Sequence, residues 1–185
     1  MVKRHGVIGT CGGLFLLVAC SLAAAPFGTN EEVEYAASLW QQMAAHNLVG
    51  ADAFYSTPYR GAAPHGDYLD TMDAYLELGG HRGRLLVQRN YTGTELSKAM
   101  VANDPGRYLS AVTVMYQREQ GYDKANHDWF WVKYDPNGAV MKGEDGVALA
   151  GRVARGSKAG CIACHVAAAG GDMVFNNDRR WGDVR

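Results

Sequence analysis

Over residues 29–47, "TNEEVEYAASLWQQMAAHN", apolar side chains recur at helical spacing. Val33, Ala36, Trp40, Met43 and Ala44 fall on one face, which predicts an amphipathic helix. Thr29 or Asn30 can cap it, and Glu31 and Glu32 stand where the helix dipole favours negative charge. The period then changes. "GRLLVQRNY" (83–91), "YLSAVTVMYQR" (108–118) and "DWFWVKYD" (128–135) carry β-branched and aromatic residues between turn signals, and each predicts a strand. "TELSKAMVAND" predicts a short helix that stops before Pro105, and "PNG" predicts a turn. The pattern leaves the type of Tyr68–Leu78 open, and Gly79-Gly80 break that segment. Residues 138–158 hold five glycines among mixed charges and read mostly as loop. The order predicts an α+β fold: an N-terminal helix, then an antiparallel β-sheet.

The N-terminus follows a different rule. "MVKRHG" is basic, and "VIGTCGGLFLLVACSLAAA" is an uncharged apolar run ending in small residues. This is the pattern of a secretory signal over residues 1–25, rather than of a retained membrane anchor. The alanines at 23–25 fit ordinary cleavage; "LVAC" also resembles a lipoprotein box that would leave Cys20 lipidated. Either route predicts an exported, periplasmic protein whose single domain spans 27–185. The full chain has 185 residues, 48% of them hydrophobic and 20% charged, with a net charge of −1. These values fit one globular domain and give no basic footprint for nucleic acid.

Ordinary cleavage leaves two of the four cysteines, Cys161 and Cys164. With His165 they form Cys-Ile-Ala-Cys-His within "GCIACHVAAAGGDMVF". A pair three apart is a poor structural staple but a good attachment pair. On one helical turn, positions three and four apart share a face, so both thiols and the imidazole can meet one porphyrin. The thiols would add to the two vinyl groups, and the histidine would ligate the iron. A zinc site would need two further ligands, and a redox dithiol usually opens a helix early in its domain. The motif therefore predicts one covalent heme c, held by Cys161 and Cys164 on a C-terminal attachment helix, with His165 as its metal ligand.

Five segments in order extend this reading: "YRGAAPHGDY" (59–68), "GRLLVQRNY", "AVTVMYQ", "GYDKANHDWFWVKYDPNG" and "GCIACHVAAAGGDMVF". Together they resemble the cytochrome P-460 family and its relatives, the β-sheet cytochromes c′. The resemblance implies a β-rich fold and a five-coordinate c-type heme. One branch oxidises hydroxylamine or nitric oxide and carries a lysine bonded to the heme. The other binds nitric oxide or carbon monoxide in an apolar pocket. The family often forms homodimers, and a redox partner cytochrome fits its chemistry.

The lysine of the first branch falls here at Gln88, with Arg89 beside it. Its distal carboxylate falls near Thr113, so a general base is missing there. The expectation is thus a protein that binds a small gaseous or nitrogenous ligand, with a hydroxylamine or nitric oxide oxidoreductase as the alternative. A plain electron carrier, its sixth ligand from Met115, Met141, Met173, His65 or His81, is the third reading. Thr113, Met115 and Gln88 are the candidate distal-pocket residues. The run Trp129-Phe130-Trp131 reads as core, and Lys133 as a solvated strand position beside it.

Overall fold

A computed structural model of the chain describes residues 27–153 and 160–175. The expected signal and Cys20 lie outside the described residues. Helix α1 spans Asn30–Ala45. Thr29 Oγ1 accepts the Glu32 N–H at 3.3 Å, and Glu32 Oε2 accepts the Thr29 N–H at 3.1 Å, a reciprocal cap. The helix buries Ala36, Leu39 and Met43. Leu39 joins the inner face in addition to the expected residues, whereas Val33, Trp40 and Ala44 are half-buried at its margins. Burying side chains such as Leu39 and Met43 contributes about 1.5–3 kcal/mol each.

Six strands follow: β1 (Tyr59–Arg60), β2 (Tyr68–Leu78), β3 (His81–Tyr91), β4 (Leu109–Gln117), β5 (Trp129–Tyr134) and β6 (Ala150–Gly151). They form one antiparallel sheet in sequence order. The segment left open in the sequence, Tyr68–Leu78, is an eleven-residue strand. It pairs along its length with β3 through a two-residue turn at Gly79-Gly80. Both glycines have positive φ, +60° and +80°, which this tight hairpin requires and which glycine adopts without a Cβ clash. Helices α2 (Lys98–Asn103) and α3 (Pro105–Tyr108) fill the β3–β4 connection. A single turn, α4 (Cys161–His165), comes last.

The sheet has two faces, because alternate residues of a strand point oppositely. One face packs on α1 through Leu85, Val87, Val112, Val114, Tyr116, Phe130, Val132 and Tyr134. The other carries Leu86, Met115, Trp129 and Trp131 toward Ile162, Met173 and Val174. That second face positions the site. Among the described residues, no helix is long and apolar enough to cross a membrane.

Candidate functional site

Directly opposed residues of an antiparallel pair share a face. Thr71 opposes Gln88, Gln88 opposes Thr113, and Thr113 opposes Lys133, so one row crosses four strands. The adjacent row runs Leu86, Met115, Trp131. Both rows lie on the face turned away from α1. Above them sits a cavity of about 280 Å³, lined by Leu69, Thr71, Leu86, Gln88, Thr113, Met115 and Trp131 from the sheet. The other walls come from Ala62–His65, from Cys161, Cys164 and His165 on α4, and from Val174 and Phe175.

The structure thus brings together the three candidate attachment residues and the three candidate distal-pocket residues. Gln88, Thr113 and Met115 line the same cavity as Cys161, Cys164 and His165. Gln88 Nε2 donates to Thr113 Oγ1 at 3.3 Å and to Asn90 Oδ1 at 3.2 Å. Thr113 Oγ1 donates to the Gln88 carbonyl at 3.4 Å. These bonds tie two polar side chains together in a largely apolar wall. No Asp or Glu lines the cavity among the described residues.

Two expectations change. Trp129 and Phe130 are core, but Trp131 also walls the cavity, with its ring 4.8 Å from that of His165. The reason is alternation: Trp131 shares the face of Leu86 and Met115, and Phe130 takes the other. Lys133 is half-buried rather than solvated, and its charge reaches both His65 and Cys161. Arg89, next to Gln88, points to the opposite face, where it pairs with Asp70. Of the remaining ligand candidates, His65 lines the cavity. His81 lies at the far end of β3, with Nε2 3.0 Å from the Gln117 carbonyl. Met141 is not among the lining residues, and Met173 contributes a backbone carbonyl.

His165 Nδ1 is 2.7 Å from that Met173 carbonyl oxygen. A carbonyl can only accept, so Nδ1 is the donor of this bond, and in the neutral form of the ring the lone pair is then on Nε2. The ring is set by contacts with Trp131, Phe175 at 5.1 Å and His65 at 6.2 Å. Burial, then the charges of His165 and Lys133, push the His65 pKa down to about 4, so His65 is neutral at ordinary pH. Burial also pushes the Cys161 thiol up. Cys161 and Cys164 are not joined to each other by a disulfide.

A model of the cytochrome P-460 family matches residues 71–176, more than half of the chain. The chain belongs to the cytochrome P-460 family. No curated protein and no solved structure gives a significant match. Members of this family are heme proteins, and the residues present fit that group. An imidazole held through Nδ1, two thiols on the same helical turn and a largely apolar cavity are what a heme would need. The buried Trp131 Nε1 has no hydrogen-bond partner, consistent with a site completed by a bound group. Among the described residues, no three His, Cys, Asp or Glu side chains gather closely enough to hold a metal ion by themselves. The segment that makes one wall, Ala62–His65, lies outside the matched residues, and its part in the site was legible only from the "PHG" resemblance.

Proposed function

We propose that this P-460 family member is an exported monoheme c-type cytochrome whose iron keeps one position open for a small ligand such as nitric oxide. Cys161 and Cys164 would hold the heme through thioether bonds, and His165 Nε2 would be its axial ligand. A heme supplies an iron that takes a diatomic ligand and changes charge by one electron. The chain supplies the rest. Met173 fixes the His165 tautomer, the apolar walls exclude water, and Gln88 and Thr113 set the polarity opposite.

The observation that carries this reading is the composition of that wall. Where an oxidoreductase of the family would present a lysine and a carboxylate, the cavity presents an amide bonded to a hydroxyl. Neither can act as a general base near neutral pH. The test is optical and resonance Raman spectroscopy of the full-length protein exported with its heme. A high-spin ferric heme that binds nitric oxide on reduction supports the reading. A strongly red-shifted ferrous band with hydroxylamine turnover would favour the oxidoreductase.

A second reading rests on His65. Its ring is perpendicular to that of His165, 6.2 Å away, and neutral, and a neutral imidazole can ligate iron. A low-spin heme in the wild type that turns high-spin in His65→Ala would replace the open site with a six-coordinate electron carrier. Periplasmic location, a redox partner cytochrome and a homodimer remain part of the proposal; fractionation and sedimentation test them.

A further inference from the structure

The hydrogen bond on His165 depends on where one peptide carbonyl points. Met173, which supplies it, has φ +65°. This left-handed conformation is uncommon for a residue with a side chain, and it persists only where neighbours hold it. The neighbour is Asp172. Its backbone oxygen accepts the Trp129 indole N–H at 2.9 Å. Its Oδ1 accepts the Val174 N–H at 3.1 Å, closing a turn over Met173. Its Oδ2 accepts Arg84 Nη1 at 3.2 Å. Arg84 is itself clamped from the other side by Asp73, with Nη2 2.7 Å from Oδ2 and Nε 3.2 Å from Oδ1. Strands β3 and β5 therefore grip the residue just before the carbonyl, and neither Arg84, Trp129 nor Asp172 lines the cavity.

We propose that the Arg84–Asp172 pair, braced by Trp129, is a positioning latch that sets the strength of the His165–Met173 hydrogen bond and through it the electronics of the iron. This rests on the reading of His165 as the axial ligand. A well-aimed carbonyl draws the Nδ1 proton, makes Nε2 a stronger donor and stabilises the ferric state. Released, the carbonyl turns away and the donor weakens. Both ion pairs are half-exposed, so they add little to overall stability. The latch can be opened without unfolding the domain.

The experiment compares Arg84→Met, Arg84→Lys and Asp172→Asn with the wild type, each as the full heme-loaded chain. The readouts are the ferrous iron–histidine stretching frequency and the midpoint potential. Arg82→Met, on the same strand, removes the same charge without touching Asp172. Arg84→Met and Asp172→Asn are expected to lower the stretching frequency and raise the potential. Arg84→Lys is expected to recover part of both, and Arg82→Met to leave the frequency unchanged. A wild-type frequency in Asp172→Asn overturns the latch, as does a change of the same size in Arg82→Met. If Arg84→Met fails to load heme, Asp172→Asn and Arg84→Lys carry the decision. A wild type with no iron–histidine band at all would instead overturn the assignment of His165, which is a separate failure.

Discussion

The two faces of the sheet use polar residues in opposite ways. On the α1 face the buried polar groups around Arg89 are closed off. Arg89 donates to both Asp70 oxygens at 3.1 Å, and to the Leu48 and Phe54 carbonyls at 2.6 and 2.7 Å. Tyr91 donates to Asp70 at 3.2 Å, and Tyr134 to the Ala36 carbonyl at 2.7 Å. On the cavity face the wall is sparsely polar, Trp131 Nε1 is unmatched, and a single helical turn closes the site. The first face holds the fold together. The second lines the cavity that holds the attachment residues. The lesson is that stability and function divide here by strand alternation, so neighbours such as Gln88 and Arg89 belong to different problems.

The division is open to attack from either side. The largest expected effect is on the cavity face: Cys161→Ser with Cys164→Ser should abolish covalent heme altogether. Heme that survives acid–acetone extraction measures this, while circular dichroism should still report a folded sheet. A double variant that keeps extraction-resistant heme would break the assignment. On the packed face, Asp70→Asn leaves the Arg89 charge buried and unpaired. It should cost about 3–5 kcal/mol in denaturant unfolding. That is much of a typical domain's stability, yet heme loaded at low temperature should show an unaltered spectrum.

A pH effect should also belong to the packed face. Burial raises the pKa of Tyr91 and Tyr134 above the ordinary phenol value. With the folded pKa above the unfolded one, the unfolded state gives up its protons first. Their stabilising contribution is therefore complete below pH about 10 and is lost as pH rises beyond it. Tyrosinate absorbance of these residues should appear together with loss of secondary structure; earlier ionisation in the folded protein would contradict it. The smallest effect is expected from Gln88→Leu. Thr113 keeps its bond to the Gln88 backbone, so stability should barely move. At most one hydrogen bond of about 1 kcal/mol to a bound ligand is at stake, so nitric oxide release should change no more than about fivefold.

Much of this was legible in the sequence because the signals were local. The capping residues of α1, the alternation of β4 and the Cys-Ile-Ala-Cys-His turn each lie within a few residues of one another. The failures were long-range. Asp70, Asp73 and Glu77 obscured the strand signal of β2, because what makes Asp70 tolerable is Arg89, nineteen residues away on the next strand. Trp131 was hidden in a run where both faces are buried, so hydrophobicity alone could not tell which of three aromatic residues meets the cavity. The Met173 carbonyl gave no signal, since backbone atoms carry no side-chain signature.

The row Thr71, Gln88, Thr113, Lys133 bears on descent as well as on chemistry. Neighbouring strands stand about 4.8 Å apart, so codons far apart in the gene address adjacent patches of space. A lineage can therefore lose a reactive group on one strand and regain one on the next without altering a single backbone angle. In such a protein, homologous activity need not sit at a homologous position. Gln88 and Thr113, opposed on adjacent strands, are a ready-made pair for testing that freedom by exchange.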